Sequence, residues 1–240
     1  MAEPSGPARR GDRDVAPIAA LFGDPARAAM LAALAAGHAL PAGELARVAG
    51  VHPATATAHL RRLIEAGLVQ VRAQGRHRYH ELAGPEVAAV LEALARLSPP
   101  VPIRSLRHQH DADALSEART CYDHLAGRRG VQLRDRLLGV GALQPVGGED
   151  HALTGHGRQL ISELGIDPGP LVASRRVFAR SCLDWTQRKP HLAGALPAAL
   201  TTQLITRGWL ARGRGRGLQA AGDYDQQLDR WLRPARETAG

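Results

Sequence analysis

Apolar side chains recur at helical spacing in the segment DPARAAMLAALAAG, residues 24–37. Met30 and Leu34 lie one turn apart, Asp24 stands at an N-cap position before a proline, and Gly37 follows the apolar stretch. An N-cap side chain accepts hydrogen bonds from the free N–H groups at a helix start, and glycine is common just after a helix end. The pattern therefore predicts a helix with both ends marked.

The segment ELARVAGVHPATATAHLRRLIEAGLV, residues 44–69, contains two shorter apolar periods. Leu45 belongs to the first period, and Leu60 and Ile64 belong to the second. Gly50 stands between them, where a left-handed turn residue is needed because glycine adopts that conformation without steric cost. The spacing predicts a helix-turn-helix in which Leu60, Leu63 and Ile64 form the buried stripe of the second helix.

The pattern then changes from helical spacing to alternation, in VQVRAQGRHRYHEL. Val69 and Val71 on one side of Gly75, and Tyr79 and Leu82 on the other, alternate with polar residues. Alternation with a period of two is typical of strands, and a glycine between two such runs indicates a hairpin. Helix, turn, helix and hairpin together predict a winged helix.

The second half of the chain repeats itself. HLAGRRGVQLRDRLLGVGAL aligns without gaps with HLAGALPAALTTQLITRGWL, 67 positions later. Upstream of these, ARTCYD matches ARSCLD, 61 positions later, and these two segments hold both cysteines of the chain. Self-similarity of this kind indicates two copies of one structural unit. We therefore expect two lobes with approximate internal symmetry.

The predicted fold is mainly α with small β-hairpin wings. A winged helix-turn-helix is followed by a two-lobed, internally repeated, α-rich domain whose lobes are themselves winged-helix-like. A cluster of prolines after the first domain cannot continue a helix and indicates a linker. The predicted segments are a mobile tail (1–14), the winged helix-turn-helix domain (15–97), the linker (98–103), the two lobes (104–167 and 168–233) and a second tail (234–240).

Composition adds a modest argument about partners. The formal net charge of +8 favours a polyanion such as nucleic acid. However, Lys189 is the only lysine, and arginine is abundant together with Ala, Gly and Pro, as a GC-rich coding sequence would produce. The chain has neither a run of about 18 apolar residues nor a secretory leader, so we expect a cytoplasmic protein with no membrane partner.

The segments LFGDPARAAMLAAL and LRRLIEAGLV, the helix-turn-helix and the RxGRxRYxEL hairpin together resemble the ArsR/SmtB family of winged-helix repressors, over about residues 15–97. The resemblance implies a homodimer whose interface uses the first helix (about 15–22) and the last helix of the domain (about 85–97). It also implies repression at an inverted-repeat operator. The apolar face of the last helix, which agrees with this role and equally with an ordinary core helix, comprises Val87, Val90, Leu91, Leu94 and Leu97.

The second helix and the hairpin carry the candidate DNA contacts. Thr55, His59 and Arg62 share the helix face opposite the apolar stripe, and such a face can enter a major groove. Residues 51–82 contain five arginines and two glutamates, which agrees with DNA binding, although a merely solvated arginine face has the same composition. The predicted DNA-binding residues are His52, Thr55, Thr57, His59, Arg61, Arg62, Arg72, Arg76, His77 and Arg78.

The duplicated motif is the candidate effector site. Members of the ArsR/SmtB family often sense metals through cysteines in the third helix or through His and Asp on the last helix, and this chain has neither. Cys121 and His124 are three residues apart, a spacing that places them on one face of a predicted helix, with Asp123 beside them. The candidate effector-binding residues are Arg119, Cys121, Tyr122, Asp123, His124, Arg180, Cys182, Asp184, Trp185 and His191.

Four interpretations of this motif remain open, and the cofactor is otherwise unknown. In the first, Cys121, His124, Cys182 and His191 bind zinc or another thiophilic metal. In the second, the two cysteines form a thiol switch that oxidises to a disulfide. In the third, the arginines and aromatic rings line a pocket for a small organic ligand. In the fourth, the cysteines are core residues that both copies inherited.

The sequence favours a regulator over two other classes of protein. It contains no glycine-rich phosphate loop after a strand, no HExxH and no GxSxG, so a catalytic Cys/His set has no further support and we predict no enzyme. An architectural DNA-binding protein would share the DNA-binding features but respond to no effector. We therefore predict a dimeric DNA-binding regulator whose affinity depends on a signal received in the C-terminal domain.

Overall fold

The computed structural model describes residues 13–99, 102 and 105–233. The predicted tails and linker therefore fall partly or wholly outside the described residues. The N-terminal helices and strands, in chain order, are α1 (Ala16–Phe22), α2 (Pro25–Leu34), β1 (Leu40–Pro41), α3 (Ala42–Ala49), α4 (Pro53–Glu65), β2 (Val69–Gln74), β3 (His77–Leu82) and α5 (Pro85–Leu97).

The predicted winged helix-turn-helix is confirmed. The Asp24 side chain caps α2 by accepting from the backbone N–H of Arg27 at 2.9 Å. Gly50 follows α3 with a φ of 66°, so the chain reverses there before α4 begins. Strands β2 and β3 pair antiparallel around Gly75, which also has a positive φ. These local signals place α4 and the hairpin where the sequence predicted them.

One detail of the predicted core is wrong. Leu60 and Leu63 of α4 are buried as predicted, but Ile64 is 36% exposed, because the buried face of this helix continues to Ala56, one turn before Leu60. On β2, Val69 is buried, whereas Val71 is 41% exposed. The sequence also gave no indication of β1, which pairs with β3 and completes a three-stranded sheet.

None of the helices in the described part of the chain is, by itself, long and apolar enough to cross a membrane. Helices α1 and α2 meet that criterion only as a pair, and the pair is bent by 82°. Phe22 of α1 and Met30, Leu31 and Leu34 of α2 are buried in the N-terminal core.

The C-terminal half continues with short helices and short strands. Its elements, in chain order, are α6 (Leu106–Glu117), β4 (Arg119–Cys121), β5 (His124–Ala126), α7 (Arg128–Gly139), β6 (Leu143–Gly147), β7 (Asp150–Leu153), α8 (Gly155–Glu163), α9 (Pro168–Ala173), β8 (Arg180–Leu183), β9 (Pro190–Ala193), α10 (Ala195–Thr206), β10 (Leu210–Arg212), β11 (Leu218–Ala220) and α11 (Tyr224–Trp231).

The order hairpin, helix, hairpin, helix occurs twice in this half. It runs from β4 to α8 and again from β8 to α11. The two runs share one apolar core, in which Leu133 and Leu137 of α7 and Leu200 and Leu204 of α10 are all buried. Strands β6, β7, β8 and β9 also form one four-stranded sheet that joins the two runs. Duplication of one ancestral unit stays a prediction, and the two lobes share a single core.

The helix predicted for the duplicated motif is wrong, because both copies form β-hairpins. In the first, β4 and β5 pair antiparallel around Tyr122, whose φ of 62° is incompatible with a right-handed helix. In the second, β8 pairs with β9. The following helices begin only after Gly127 and Gly194, both of which have positive φ. The motif is therefore a strand pair that leads into a helix.

Candidate functional site

Helix α4 and the β2–β3 hairpin, the wing, expose most of the predicted DNA-binding residues. Arg62, Arg76 and Arg78 are exposed and make no ion pair with any described residue. Arg61 pairs with Glu65 at 2.9 Å, and Arg72 lies 3.5 Å from Glu81. Thr55, Thr57 and His77 are exposed on the same two elements. Arginines of both elements thus face solvent, and two of them are partly neutralised by glutamates.

Two histidines of this set have contacts within the domain. The His52 side chain caps α4 by accepting from the backbone N–H of Ala54 at 3.4 Å. The side chain of His59 is only 17% exposed, and its Nδ1 lies 3.5 Å from Nη1 of Arg27. His59 therefore does not share the open face predicted for it, because the start of α2 packs against this part of α4. A contact between each residue of the set and DNA stays a prediction.

The duplicated hairpins bring both cysteines and two histidines together. Cys121 on β4 is directly opposite His124 on β5, and Cys182 on β8 is directly opposite His191 on β9. The four potential ligand atoms all lie within 4.8 Å of one another. Cys121 and both histidines are at most 4% exposed, and Cys182 is partly exposed. We call these four residues the Cys/His cluster.

A carboxylate stands behind each histidine of the cluster. Asp123 Oδ1 lies 3.5 Å from Nδ1 of His124, and Asp184 Oδ2 lies 3.3 Å from Nδ1 of His191. Both nitrogens of each ring are buried, and none of the four makes a hydrogen bond to another described residue. A carboxylate at one ring nitrogen orients the ring and leaves the other nitrogen to a ligand. In both histidines the carboxylate lies close to Nδ1, where a small rotation of the ring would give this arrangement.

The charges around the cluster favour a thiolate. The hydrogen bond from Cys121 is the main reason that the pKa of Cys182 lies well below its usual value, and His124 and His191 contribute in the same direction. The same hydrogen bond, together with burial, raises the pKa of Cys121. Burial opposes ionisation of Asp184, but His191 and Arg119 hold its pKa well below the usual range. These surroundings favour ionisation of Cys182 over ionisation of Cys121.

Arg119 connects the cluster to the winged-helix domain. Its side chain is fully buried, donates to Asp184 Oδ2 at 3.0 Å and lies 3.7 Å from Glu92 of α5. Glu92 also accepts from Arg216 at 2.9 Å. The Arg119 guanidinium lies 4.9 Å from the ring centre of Trp185. Arg119 thus belongs to a buried network, with the partly buried Trp185 beside it.

Glu92 was missed by the sequence analysis. It is only 2% exposed, although it lies on a helix whose other buried residues, Val87 and Ala88, are apolar. A carboxylate on the buried face of an amphipathic helix is rare unless it has a charged partner. The position of Glu92 on the apolar face of the predicted helix was therefore a signal, visible in the sequence, of a buried charged partner.

A second contact joins the first cluster hairpin to the end of α2. The Thr120 hydroxyl donates to the carbonyl of Ala36 at 3.2 Å, and the Tyr122 N–H donates to that of Ala35 at 3.1 Å. Cys121 lies between these two residues. The backbone on both sides of this cysteine is therefore fixed to the DNA-binding domain.

The cluster borders a cleft of about 730 Å³ between α5 and the β8–β9 hairpin. Cys121, His124 and Cys182 form part of its wall, as do Tyr122 and Arg180. Asp123 is held outside it by Arg176, whose Nη1 donates to Asp123 at 2.7 Å. The predicted effector residues thus lie in one region of the structure. Some belong to the Cys/His cluster, some to the buried network around Arg119, and some to the wall of the cleft.

Comparison with known proteins identifies a domain family and a relative that matches most of the chain. A helix-turn-helix domain family model matches residues 22–72. YdfF, described as an uncharacterized HTH-type transcriptional regulator of Bacillus subtilis (strain 168), is 42% identical over 199 residues, which are 83% of this chain and 88% of YdfF. A match of this length extends beyond the winged helix into the C-terminal half.

Solved structures match a smaller share of the chain. HlyU from Vibrio cholerae N16961 is 26% identical and covers 35% of this chain and 89% of its own, with a TM-score of 0.32. The homodimeric winged helix-turn-helix DNA-binding domain of Mb0332 from Mycobacterium bovis, a possible ArsR-family transcriptional regulator, is 28% identical. It covers 37% of this chain and 87% of its own, with a TM-score of 0.31.

Proposed function

Because the chain belongs to the HTH-type transcriptional regulators and contains a winged helix of the ArsR/SmtB type, we propose that it is a homodimeric repressor that binds an inverted-repeat operator. We further propose that a signal received in its C-terminal half sets its DNA affinity. The family is one of regulators and not of enzymes, which agrees with the prediction from the sequence.

The exposed arginines of α4 and the wing carry the proposal of DNA binding. Arg62 on the recognition helix, and Arg76 and Arg78 on the wing, are free of carboxylate partners among the described residues. Guanidinium groups in this state neutralise phosphates without first breaking an ion pair. A recognition helix in the major groove with an arginine-bearing wing beside it is the geometry that this surface supports.

Exposed apolar side chains support the dimer. Ile18 on α1 is 38% exposed, and Val90, Leu94 and Leu97 on α5 are 42%, 40% and 85% exposed. Burial of apolar side chains of this size against a second copy of the chain would stabilise a dimer. These are the two helices for which the family resemblance implies an interface.

Binding to a fragment of the protein's own promoter region tests the proposal. Arg62→Ala and Arg76→Ala are each expected to lower affinity roughly three- to tenfold and to reduce the slope of log K against log salt by about one. Arg158→Ala, which removes an exposed arginine from α8, is the matched control and leaves both quantities unchanged. Equal affinities for all three variants would contradict the assigned DNA surface.

Sedimentation of a Leu94→Glu, Leu97→Glu double variant tests the dimer. Two buried carboxylates in an apolar interface are unfavourable, so the variant should sediment as a monomer and bind the operator far more weakly. A wild-type protein that is monomeric at micromolar concentration would contradict the proposal.

A further inference from the structure

We propose that the Cys/His cluster is a tetrahedral site for a thiophilic or borderline divalent metal, with zinc the best match, ligated by Cys121, His124, Cys182 and His191. We also propose that this site communicates with α5 through Asp184, Arg119 and Glu92. The second statement rests on the proposed DNA-binding function, whereas the first is independent of it.

The geometry of the two hairpins supports a four-coordinate site. Each hairpin contributes one Cys–His pair from directly opposite positions, and the four ligand atoms lie within 4.8 Å of one another. Zinc binds Cys and His atoms at about 2.0–2.3 Å, which corresponds to ligand separations of roughly 3.3–3.8 Å in a tetrahedron. Small side-chain rotations therefore bring all four atoms onto one ion.

The buried nitrogens are the independent sign of a ligand. His124 and His191 are 4% and 0% exposed, and neither Nε2 has a hydrogen-bond partner among the described residues. A buried polar atom without a partner costs free energy, and a metal ion supplies the missing interaction. Asp123 and Asp184 approach the opposite ring nitrogens, the arrangement that orients metal-binding histidines.

The donor set selects the class of metal. Two sulfurs and two imidazole nitrogens in tetrahedral arrangement suit zinc better than the hard ions magnesium and calcium, which prefer oxygen ligands. Coordination by Cys121 releases its thiol proton to solvent as the sulfur–metal bond forms. Two thiolates then balance the charge of the divalent ion, so the buried site carries no net charge.

The site is open on one side. Cys121, His124 and Cys182 form part of the wall of the 730 Å³ cleft, and Cys182 is partly exposed. An ion enters and leaves through the cleft without unfolding of the surrounding core. This access distinguishes the site from a sealed structural zinc site and fits an ion whose occupancy varies.

Metal occupancy has a physical route to α5. The carboxylate of Asp184 that approaches His191 also accepts from Arg119 at 3.0 Å, and Arg119 lies beside Glu92 of α5. All these side chains are buried, so a shift of His191 toward an ion changes the position or strength of each following contact. Glu92 is a positioning residue in this scheme, and α5 is the helix proposed for the dimer interface.

Metal titration of the chelator-treated, reduced full chain tests the site. We expect one Zn²⁺ per chain in competition with a chromophoric chelator, and one Co²⁺ with the visible absorption of a tetrahedral thiolate complex. Cys182→Ser and His191→Gln should each weaken zinc binding by at least about 100-fold, whereas His156→Gln, a control on α8, should not weaken it. The Co²⁺ spectrum of the wild-type protein needs no variant and so does not depend on their folding.

Two results would overturn the metal site. One is a wild-type chain that binds no zinc tighter than about 10 µM and shows no tetrahedral Co²⁺ spectrum. The other is zinc affinity unchanged in both Cys182→Ser and His191→Gln. A disulfide between Cys121 and Cys182 that forms in air but leaves the reduced chain unable to bind metal would instead favour a thiol switch.

DNA affinity with and without zinc tests the coupling. Zinc should change the operator affinity of the wild-type protein by at least about fivefold. Glu92→Gln should bind zinc as the wild type does but lose most of this response. A zinc-loaded protein whose DNA affinity is unchanged would overturn the coupling and leave the metal site standing. A protein that binds zinc but never binds operator DNA would instead overturn the proposed function.

Discussion

The carbonyl oxygen of Tyr122 lies directly against Gly37, so that a Cβ on this glycine would be 2.0 Å from it. Gly37 also has a φ of 78°, a conformation that other residues rarely adopt. Tyr122 follows Cys121 in the first cluster hairpin. The glycine after α2 therefore permits the close approach of the DNA-binding domain to the cluster.

Replacement of this glycine should loosen the contact between the two halves of the chain. Gly37→Ala is expected to lower the free energy of unfolding by about 1–3 kcal/mol from the left-handed backbone alone, with a further cost from the clash with Tyr122. Gly139→Ala is the control, because a Cβ at Gly139 on α7 meets nothing within 4 Å. It should be neutral or stabilising by up to about 1 kcal/mol. Chemical denaturation of both variants measures these effects, and similar values would contradict the tight contact.

Thr201 supports the strand that carries His124. Its hydroxyl accepts from the buried backbone N–H of Leu125 at 2.8 Å and donates to the carbonyl of Pro197 at 2.8 Å. Thr201→Val keeps the shape but leaves the Leu125 N–H without a partner, so we expect a loss of about 1–3 kcal/mol of stability. Thr202→Val is the matched control, since the exposed Thr202 hydroxyl only donates to Ala198 within its own helix. Thermal unfolding should separate the two variants by several degrees, and equal melting temperatures would contradict the role of Thr201.

The winged helix was predictable because its signals are local. Asp24 caps α2, Gly50 makes the left-handed turn and Gly75 closes the wing, and each lies within a few residues of the element that it defines. Strand β1 was not predictable, because two residues carry no periodicity. Its partner β3 is about 40 positions away in the chain.

The cluster was predictable as a set of residues but not as a structure. Duplication singled out Cys121, His124, Cys182 and His191, which the hairpins bring together. A spacing of three residues suits a helix face and also a tight hairpin, and only the left-handed backbone of Tyr122 decides between them. Whether the four residues bind a metal stays a prediction for the titrations above.

Acid should weaken the ion pairs that Arg129 of α7 makes in the C-terminal half. Arg129 donates to Glu117 at 2.7 Å and to Asp225 at 2.6 Å. Burial opposes the ionisation of Glu117, but Arg128 and Arg129 lower its pKa below the usual 4.5, and the hydrogen bond from Arg129 lowers that of Asp225 below 3.8. Both carboxylates therefore favour folding above about pH 4.5, and this contribution is lost as pH falls through their lowered pKa values.

The variant Arg129→Met tests this predicted loss of stability at low pH. At pH 7 it should be less stable than the wild type by about 1 kcal/mol, because the ion pairs and the contact with the Tyr224 ring are lost. The difference should shrink as the pH is lowered below about 4. Denaturation curves between pH 3 and pH 7 measure it, with Arg158→Met as the control for loss of an exposed arginine. A difference that does not depend on pH would contradict the assignment to these carboxylates.

Removal of the carboxylate beside Arg61 should strengthen DNA binding. The side chains of Arg61 and Glu65 are 79% and 60% exposed and pair across one turn of α4. Glu65→Gln frees this arginine for a phosphate and removes a negative charge from the helix that we propose enters the DNA groove. We expect affinity to rise roughly two- to fivefold at low salt, with a steeper dependence of log K on log salt.

A second variant separates local charge from net charge in this experiment. Glu163→Gln changes the formal charge by the same amount, but at an exposed position on α8. Exposed charges more than about 10 Å from the phosphates are largely screened at 0.1 M salt. At 0.1 M salt, only Glu65→Gln should therefore alter the affinity for operator DNA. Fluorescence anisotropy with a labelled operator measures this affinity. Equal increases for both variants would mean that net charge, and not the position of Arg61, controls the affinity, and no increase in either would remove Arg61 from the DNA surface.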